Sequence, residues 1–465
     1  MKLETLRTSF IGRIVARGDA GYAAARDALL FNARRPEREP DLIVRPRSVA
    51  DVQAVIRFAR AHGLRVSVRG GGHHMSGIAL QEGILLDLGE LDTVRIDPAA
   101  RMAEVGPTVT NGAFARALAE HGLAFPVGHC ATVPLSGYLL GGGFGWNSGA
   151  WGIACFSVES LDVVTADGTL RRVSATENAD IFWAARGAGA AFFGVVTAYR
   201  LRLQPLPRAI TTSTWTYDLA DIDKVEGWMS AIQPSLPRNV EMTILMASPP
   251  PDLVSAPAKV VTVVATIFAD GAEEARTVLG TIDTAAPRGA IATQSNLPTP
   301  FEVLYDIIAG ILPEKHRYGA DTFWSDAAPR RAFGELARCV RAAPSPRSLA
   351  MAVLVPKPPA DAPVPDAAFS MTAPLFTAAY AIWQDPAEDA ANLRWLRETG
   401  AAMAPMTIGH YLNEADLESA GRAAASFAPA AWQRLAALRH KYDPAGMFCK
   451  AAPFADAARP VAKAG

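Results

Sequence analysis

The chain has 465 residues, of which 50% are hydrophobic and 20% are charged, and its formal net charge is −1. A chain of this length and composition can bury a sizeable core in about two or three domains, which argues against intrinsic disorder. Its balanced charge lacks the basic excess that nucleic-acid or anionic-membrane partners require.

Secretion and membrane insertion are not indicated either. The sequence contains no run of about 18 apolar residues, so it predicts no transmembrane helix. The N-terminal segment carries scattered charges instead of the apolar stretch of a secretory signal peptide. The four cysteines, Cys130, Cys155, Cys339 and Cys449, lack CxxC spacing and are too few for a disulfide framework. These features favour a reducing cytoplasm.

The first 200 residues alternate helical and extended patterns. Ser48 and Asp51 form a capping-box pattern before an apolar-periodic run that ends at Gly63. Residues 64–68 and 84–88 are apolar and predict strands. The same order recurs from Thr110, which predicts a helix to residue 119, followed by an extended segment at 123–127. A glycine-rich loop comes after each of these units.

The first loop runs from Arg69 through three glycines to His73 and His74, with Gly77 close behind. Successive glycines allow main-chain N–H groups to converge on a phosphate, and the arginine adds positive charge. A tight turn without a ligand is the alternative. The pattern is neither a Rossmann fingerprint, because no helix opens directly after it, nor a Walker loop.

The second loop spans residues 128–146 and contains Cys130 among many glycines. A lone cysteine is most often a small buried residue. Here His129 precedes it and is a candidate for generating a thiolate. A third glycine cluster, residues 187–197, runs into a β-branched strand. Three such loops, two of which carry nucleophiles, indicate a large phosphate-bearing cofactor.

Beyond about residue 205 the glycine clusters thin out and the strands become longer. Trp215 and Tyr217, residues 241–247 and residues 260–268 predict strands of a second domain with an exposed sheet and flanking helices. Proline-rich loops follow at 249–251 and 356–365. Trp215, Tyr217, Tyr380 and Trp383 are candidates for lining a pocket, although aromatics at these spacings are more often core.

Taken together, the motifs resemble the berberine-bridge-enzyme-like members of the vanillyl-alcohol oxidase/p-cresol methylhydroxylase flavoproteins over nearly the whole chain. The matching stretches are 69–73, 130–143, 187–197, the Tyr-x-Asn at 411–413, and 442–444 with Phe448. The resemblance implies an α+β fold with two domains. An FAD-binding domain of the PCMH type would span 1–205, a substrate-binding domain on an antiparallel sheet 206–415, and a C-terminal segment, 416–465, would return to the FAD domain.

The resemblance also implies how the FAD is held. An 8α-histidyl bond would form at His73, with His74 as the competing position, and a 6-S-cysteinyl bond at Cys130. The other cofactor contacts that it implies are Arg69, Gly70, Gly71, Gly72, His74, Gly77, Thr132, Val133, Gly137, Tyr138, Gly141, Gly142, Gly145, Gly194, Val195 and Tyr442.

The expected reaction is oxidation of an alcohol, saccharide or amine by hydride transfer to the flavin, with O2 as the acceptor and H2O2 as the product. Glu414 is the first candidate for the catalytic base, provided that desolvation raises its pKa. The alternative is that Glu414 starts a helix and is solvated. Tyr411 is the second candidate. By resemblance, Val133 leaves room for O2; as a core valine it would have no such role.

Three rival functions remain open on the sequence. His73, His74, His129 and Cys130 would form a zinc site if the loops meet, although the expected metal content is none. A flavin dehydrogenase would pass electrons to another acceptor, and a flavin-binding protein could lack catalysis. The identity of the substrate and the choice between monomer and dimer are not readable from the sequence.

Overall fold

The computed structural model describes residues 6–7, 10–251, 253, 256–358 and 365–448. Its first sheet has four strands in the order β1-β2-β4-β3, with β2 and β3 parallel to β4. These strands are β1 (Arg13–Ala16), β2 (Leu42–Arg45), β3 (Val66–Arg69) and β4 (Ile84–Asp87), and helices α1 (Tyr22–Asp27) and α2 (Val49–His62) connect them.

The start of α2 follows the predicted cap. The Ser48 side chain accepts a hydrogen bond from the Asp51 N–H at 3.1 Å, which satisfies one of the orphan donors of the first turn. The Asp51 carboxylate accepts in turn from the N–H groups of Ile11 and Arg47. Gly63 ends the helix with a φ of 62°. The capping box therefore also ties the helix to the residues before β1.

A second sheet holds five antiparallel strands in the order β5-β6-β10-β8-β9. The elements of this part are β5 (Val94–Asp97), β6 (Met102–Val105), α3 (Asn111–Ala119), β7 (Leu123–Ala124), α4 (Leu135–Leu140), α5 (Ser148–Trp151), β8 (Val158–Thr165), β9 (Leu170–Ser174), α6 (Ala179–Ala185), β10 (Gly194–Arg202) and β11 (Gln204–Pro205). Strand β11 pairs with β7. The glycine-rich loops connect elements of these first two sheets.

The third sheet has seven antiparallel strands in the order β15-β12-β14-β13-β17-β18-β16. Its elements are β12 (Ala209–Asp218), α7 (Ile222–Ile232), β13 (Val240–Ala247), β14 (Val260–Ala269), α8 (Ala272–Thr284), β15 (Ala292–Pro298), α9 (Phe301–Ile311), β16 (Arg317–Ser325), α10 (Pro329–Arg341), β17 (Leu349–Leu354), β18 (Leu375–Trp383) and α11 (Asp389–Met403). We call it the large sheet.

One face of the large sheet packs against helices, the other lines a cavity, and edge strand β15 is mostly exposed. Along β13 the buried residues alternate, and Met242, Ile244 and Met246 join a core with helices such as α7 and α10. The intervening side chains, including Glu241 and Thr243, line a cavity.

The predicted pocket aromatics divide between these two faces. Trp215 and Tyr217 belong to the helix-side core, and Trp383 packs against Trp395 of α11. Of the four, Tyr380 lines the cavity.

After α12 (Pro429–Tyr442) the chain returns to the first sheet. The Asp443 carboxylate accepts hydrogen bonds from the N–H groups of Met447 and Phe448. The Val66 N–H donates to the Met447 carbonyl at 2.8 Å, and Phe448 pairs with Val66 as a parallel bridge. The α+β fold is thus confirmed, while the boundaries at 205 and 415 stay predictions. Three features of the sequence analysis lie outside the described residues: the tail from residue 451, Cys449, and part of the second proline-rich loop.

One buried side chain joins the N-terminal segment to the large sheet. The amide nitrogen of Asn32 donates to the carbonyls of Met75 at 2.7 Å and Tyr318 at 2.9 Å. Its amide oxygen accepts from the Tyr318 N–H, so Asn32 pairs with β16 like a short piece of strand. Among the described helices, none is both long and apolar enough to cross a bilayer.

Candidate active site

A cavity of about 1150 Å³ lies between the glycine-rich loops and the large sheet. It exceeds the usual range of about 300–1,000 Å³ for ligand pockets, so it has room for more than one small molecule. Most of the predicted site residues line it, namely Arg69, Gly70, Gly71, Gly72, His73, His74, Gly77, Cys130, Val133, Gly137, Tyr138, Gly194, Tyr411 and Glu414.

Six predicted cofactor contacts do not line the cavity: Thr132, Gly141, Gly142, Gly145, Val195 and Tyr442. The structure shows other roles for three of them. A Cβ on Gly141 would lie 1.9 Å from the Asn413 side chain, so this glycine allows two loops to pack. Val195 is buried in the core, and Tyr442 stacks on Phe193 with ring centroids 5.5 Å apart.

The glycines of the first loop also serve packing within the protein. A Cβ on Gly71 would lie 2.3 Å from Pro134, and one on Gly72 would lie 1.8 Å from the Leu29 carbonyl oxygen. Gly72 has a φ of 69°, which other residues rarely adopt. The protein neighbours of the loop therefore constrain its shape.

Arg69 has a different setting from the one expected. Its guanidinium donates to the buried Asp87 carboxylate at 2.7 Å and to the carbonyls of Leu29 and Gly71. These bonds hold the loop in place. Asp87 also pairs with Arg45, so two guanidinium groups share one carboxylate and the cluster keeps positive charge beside the loop.

Three observations fit the FAD that the sequence resemblance implies. Among the described residues, none accepts a hydrogen bond from the N–H groups of Gly70, Gly71 or Gly72. The buried hydroxyls of Ser67 and Ser136 have no hydrogen-bond partner, and both residues line the cavity. A Cβ on Gly137 would meet no protein atom within 4 Å. Unmet donors beside an open glycine suit the phosphates and hydroxyls of a dinucleotide.

His73 is held as a neutral imidazole. Its ring stacks on Phe31 with centroids 4.6 Å apart, and it makes a hydrogen bond to the Thr132 backbone. Burial, aided by the Arg69 charge, lowers the pKa of His73 to about 4. Neutral imidazole is the nucleophilic form. His74, the competing position, has its Nδ1 2.9 Å from the Ser76 hydroxyl, and burial lowers its pKa to about 4 as well.

Cys130 lines the cavity as a free thiol. Burial, with a smaller effect of Glu414, raises the pKa of the Cys130 thiol to about 12. The expectation that His129 favours the thiolate is not met, because the imidazole pairs with a carboxylate instead.

That carboxylate belongs to Glu241 on β13. Nε2 of His129 lies 2.8 Å from Oε1 of Glu241, and the ring packs against Trp146. Burial lowers the pKa of His129, but the Glu241 carboxylate outweighs burial and the net pKa is raised. The other oxygen of Glu241 accepts from the Asn147 N–H at 3.3 Å. This bridge links the cysteine loop to the large sheet.

Glu414 faces the cavity from a turn, so it does not start a helix as the alternative proposed. The Tyr380 hydroxyl donates a short hydrogen bond to Oε2 of Glu414. Burial raises the pKa of Glu414, while the Tyr380 hydrogen bond and the His129 charge oppose the rise. A raised carboxyl pKa is what a general base near neutral pH requires.

Tyr411 is a weaker candidate for the base. Its hydroxyl accepts hydrogen bonds from the Phe144 N–H and the Asn413 amide, both at 3.1 Å. Burial, followed by the Glu414 charge, raises the pKa of Tyr411 above its ordinary value. The hydroxyl thus keeps its proton and acts as a donor.

Glu241 is a functional candidate that the sequence analysis missed, whereas Tyr380 was already named as a candidate for lining a pocket. The β13 alternation places residue 241 opposite the core, which was a usable signal. The metal rival gains no support: the described residues contain no group of three or more His, Cys, Asp or Glu side chains that could hold an ion.

Comparison with known proteins assigns the family. A model described as an FAD binding domain matches residues 40–174. The FAD-linked oxidoreductase ptmO of Penicillium ochrochloron is 31% identical over 437 residues, which cover 92% of this chain and 94% of that protein.

Two solved structures share the fold. The 6-hydroxy-D-nicotine oxidase of Arthrobacter nicotinovorans superposes with a TM-score of 0.80 at 25% identity, covering 95% of this chain and 97% of that chain. The BBE-like 1 protein of Physcomitrella patens gives a TM-score of 0.84 at 20% identity, covering 97% and 98%.

Proposed function

The chain belongs to the berberine-bridge-enzyme-like FAD-linked oxidoreductases, and from that membership we propose that it is an oxidase with a doubly tethered FAD. The tethers are an 8α-histidyl bond at His73 and a 6-S-cysteinyl bond at Cys130. The substrate is an alcohol, saccharide or amine, and O2 is the final acceptor, which yields H2O2.

The observation that carries the proposal is the convergence of a neutral imidazole and a free thiol on one cavity. His73 and Cys130 come from separate glycine-rich loops and lie 57 positions apart in sequence. Both line the cavity that also contains the donors without hydrogen-bond partners. His73 is neutral and oriented by Phe31 and Thr132. Two attachment points suit a roomy cavity, because the cofactor is retained without complete enclosure.

FAD, when bound, accepts a hydride from the substrate carbon. The proton that leaves the substrate hydroxyl or amine goes to the Glu414 carboxylate, whose raised pKa suits this transfer. Tyr380 holds one oxygen of that carboxylate by its hydrogen bond and so orients the other. The Tyr411 hydroxyl, fixed by Phe144 and Asn413, positions the substrate as a hydrogen-bond donor.

Val133 supports the choice of O2 as acceptor. It lines the cavity close in sequence to Cys130, on the loop that would carry the second tether. By the resemblance, the residue at this position controls the access of O2. Valine is the smallest of the branched aliphatic side chains.

Acid precipitation of the purified holoenzyme tests the tethers. We expect the yellow colour to stay with the pellet, and one cross-linked peptide pair containing His73 and Cys130 to carry the FAD mass after proteolysis. Release of free FAD into the supernatant would refute covalent attachment. An oxygen electrode tests the oxidase: we expect O2 consumption with a reducing substrate, part of which catalase returns because H2O2 is the product, whereas turnover only with an artificial acceptor identifies a dehydrogenase.

A further inference from the structure

The cavity extends beyond the residues that fit FAD, along the large sheet. We call this extension the outer arm; it is bounded by Thr214, Thr243 and Gln294 of the sheet and by Leu304, Ile307 and Ile308 of α9. Its two walls differ in chemistry, and this difference defines what the arm can hold.

The sheet wall is rich in hydroxyls. Thr212 bonds Thr266, and Thr216 bonds Thr262, as cross-strand pairs with Oγ1–Oγ1 distances of 2.9 and 3.0 Å. Between these pairs lies a row in which Val264 is flanked by Thr214 and Thr243.

The hydroxyls of this middle row differ from those on either side. Within the described part of the chain, neither the Thr214 nor the Thr243 hydroxyl forms a hydrogen bond, and both side chains are half-buried. They are available to a ligand that carries oxygen atoms on one side.

The opposite wall is aliphatic. Leu304, Ile307 and Ile308 of α9 line it, and Ile307 remains 47% exposed. The aromatic side chains of the cavity, such as Phe376, Tyr380 and Tyr411, belong to the reacting end instead. A large apolar side chain that stays half-exposed next to a cavity gains from a ligand that covers it.

The arm also favours a neutral occupant. Of the described cavity-lining side chains from the large sheet and its connections, Glu241 and Arg347 carry charge. Glu241 is paired with His129, and Arg347 is exposed to water. A cationic group inside the arm would lose its hydration without gaining a partner, and an anionic group would find, among these side chains, only the water-exposed Arg347.

We propose that the outer arm binds the non-reacting part of the substrate as a neutral, elongated aliphatic ring system with a few hydroxyl or carbonyl oxygens, of the oxygenated terpenoid or steroid class. An oligosaccharide fits poorly, because hydroxyls on both faces of each ring would be buried against isoleucine and leucine. The inference rests on the proposed function only in placing the reacting end at Glu414.

The test measures equilibrium dialysis of the holoenzyme with three neutral probes. Tritiated androstenedione has ring ketones but no alcohol to be oxidised, cyclohexanone represents one ring, and xylotetraose represents a saccharide. We expect the Kd of androstenedione to be at least about tenfold below that of either other probe. Tighter binding of xylotetraose, or no preference among the three, would overturn the proposal.

Matched variants locate the binding. Ile307 and Val303 lie one turn apart on α9 and are both exposed, but only Ile307 lines the cavity. Ile307→Asn should raise the androstenedione Kd at least about tenfold, and Thr243→Val about threefold. Val303→Asn should change it less than about twofold. Equal effects of the two asparagine substitutions would contradict the inference. Since turnover is not measured, absent O2 consumption would count against the proposed oxidase only.

Discussion

Nε2 of His129 and Oε1 of Glu241 lie 2.8 Å apart across the junction between the cysteine loop and the large sheet. The pair joins two parts of the chain that are far apart in sequence. It also places the His129 imidazole, whose pKa is raised, beside the residue proposed to carry the second flavin bond. Its loss should therefore be visible in stability and in pH dependence.

Glu241→Gln should lower the free energy of unfolding by about 1.5–3 kcal/mol, the range for a hydrogen bond to a charged group. The pKa of His129 is raised in the folded protein, so the stabilisation is complete below the unfolded histidine pKa of about 6.5 and is lost as pH rises through the folded value. Urea unfolding at pH 6 and pH 9 should show the larger deficit at pH 6. Glu159→Gln, in an exposed pair with Arg202, is the control and should change little.

Gly137→Ala should leave the protein folded but lower its FAD content. The added Cβ meets no protein atom within 4 Å and sits in α4, where alanine is favourable, yet it enters the space assigned to the cofactor. The measurement is the ratio of flavin to protein absorbance beside the circular dichroism spectrum.

Gly72→Ala provides the contrast. Its φ of 69° and the Leu29 carbonyl at 1.8 Å from the new Cβ make it destabilising regardless of cofactor. Full flavin loading in Gly137→Ala would mean that the cofactor lies elsewhere.

Glu414→Gln should slow flavin reduction by at least about tenfold, the low end of general-base contributions. Because protonation inactivates a base, the wild-type reduction rate should fall as pH drops through the raised pKa of Glu414. Anaerobic stopped-flow spectroscopy over pH 4–9 measures both effects. A variant that is reduced as fast as wild type, with the same acid limb, would remove Glu414 from the reaction.

Tyr380→Phe keeps the carboxylate and removes its donor. The Tyr380 hydrogen bond lowers the pKa of Glu414, so its loss should move the acid limb of the reduction rate to higher pH. A merely structural role for Tyr380 would reduce the rate equally at all pH values. Tyr217→Phe, in the helix-side core, also removes one tyrosine hydroxyl and serves as the control, with no shift of the limb.

Val133→Leu should separate the two half-reactions. The larger side chain would restrict O2, so reoxidation of the reduced enzyme should slow by at least about tenfold, equivalent to about 1.4 kcal/mol in barrier height. Anaerobic reduction should stay close to the wild-type rate. Unchanged reoxidation would show that O2 reaches the cofactor by a route that does not pass Val133.

Local signals predicted local structure well. Ser48, Asp51 and Gly63 delimit α2 as expected, and the alternation at 240–247 gives the two faces of β13. The roles that depend on distant residues were less accessible. The sequence around Arg69 does not reveal that its guanidinium would bond Asp87, on the adjacent parallel strand.

The candidate site shows the same limit. His73, Cys130 and Glu414 were found because they lie in short motifs. Glu241 and Tyr380 belong to strands whose order in the large sheet brings them to the cavity, and pairing across long sequence separations is not written in either strand alone. The sequence likewise suggested that glycines approach a ligand, whereas Gly71 and Gly72 make room for Pro134 and Leu29.

Asn32 has a consequence for protein engineering. The Asn32 amide forms three hydrogen bonds that join the edge of β16 to the first glycine loop. The N-terminal segment and the large sheet therefore depend on each other for their ordered structure. A chimera that combines the large sheet with the N-terminal half of a homologue would have to keep this asparagine. Without it, β16 would be a buried edge strand whose backbone donors and acceptors lack partners.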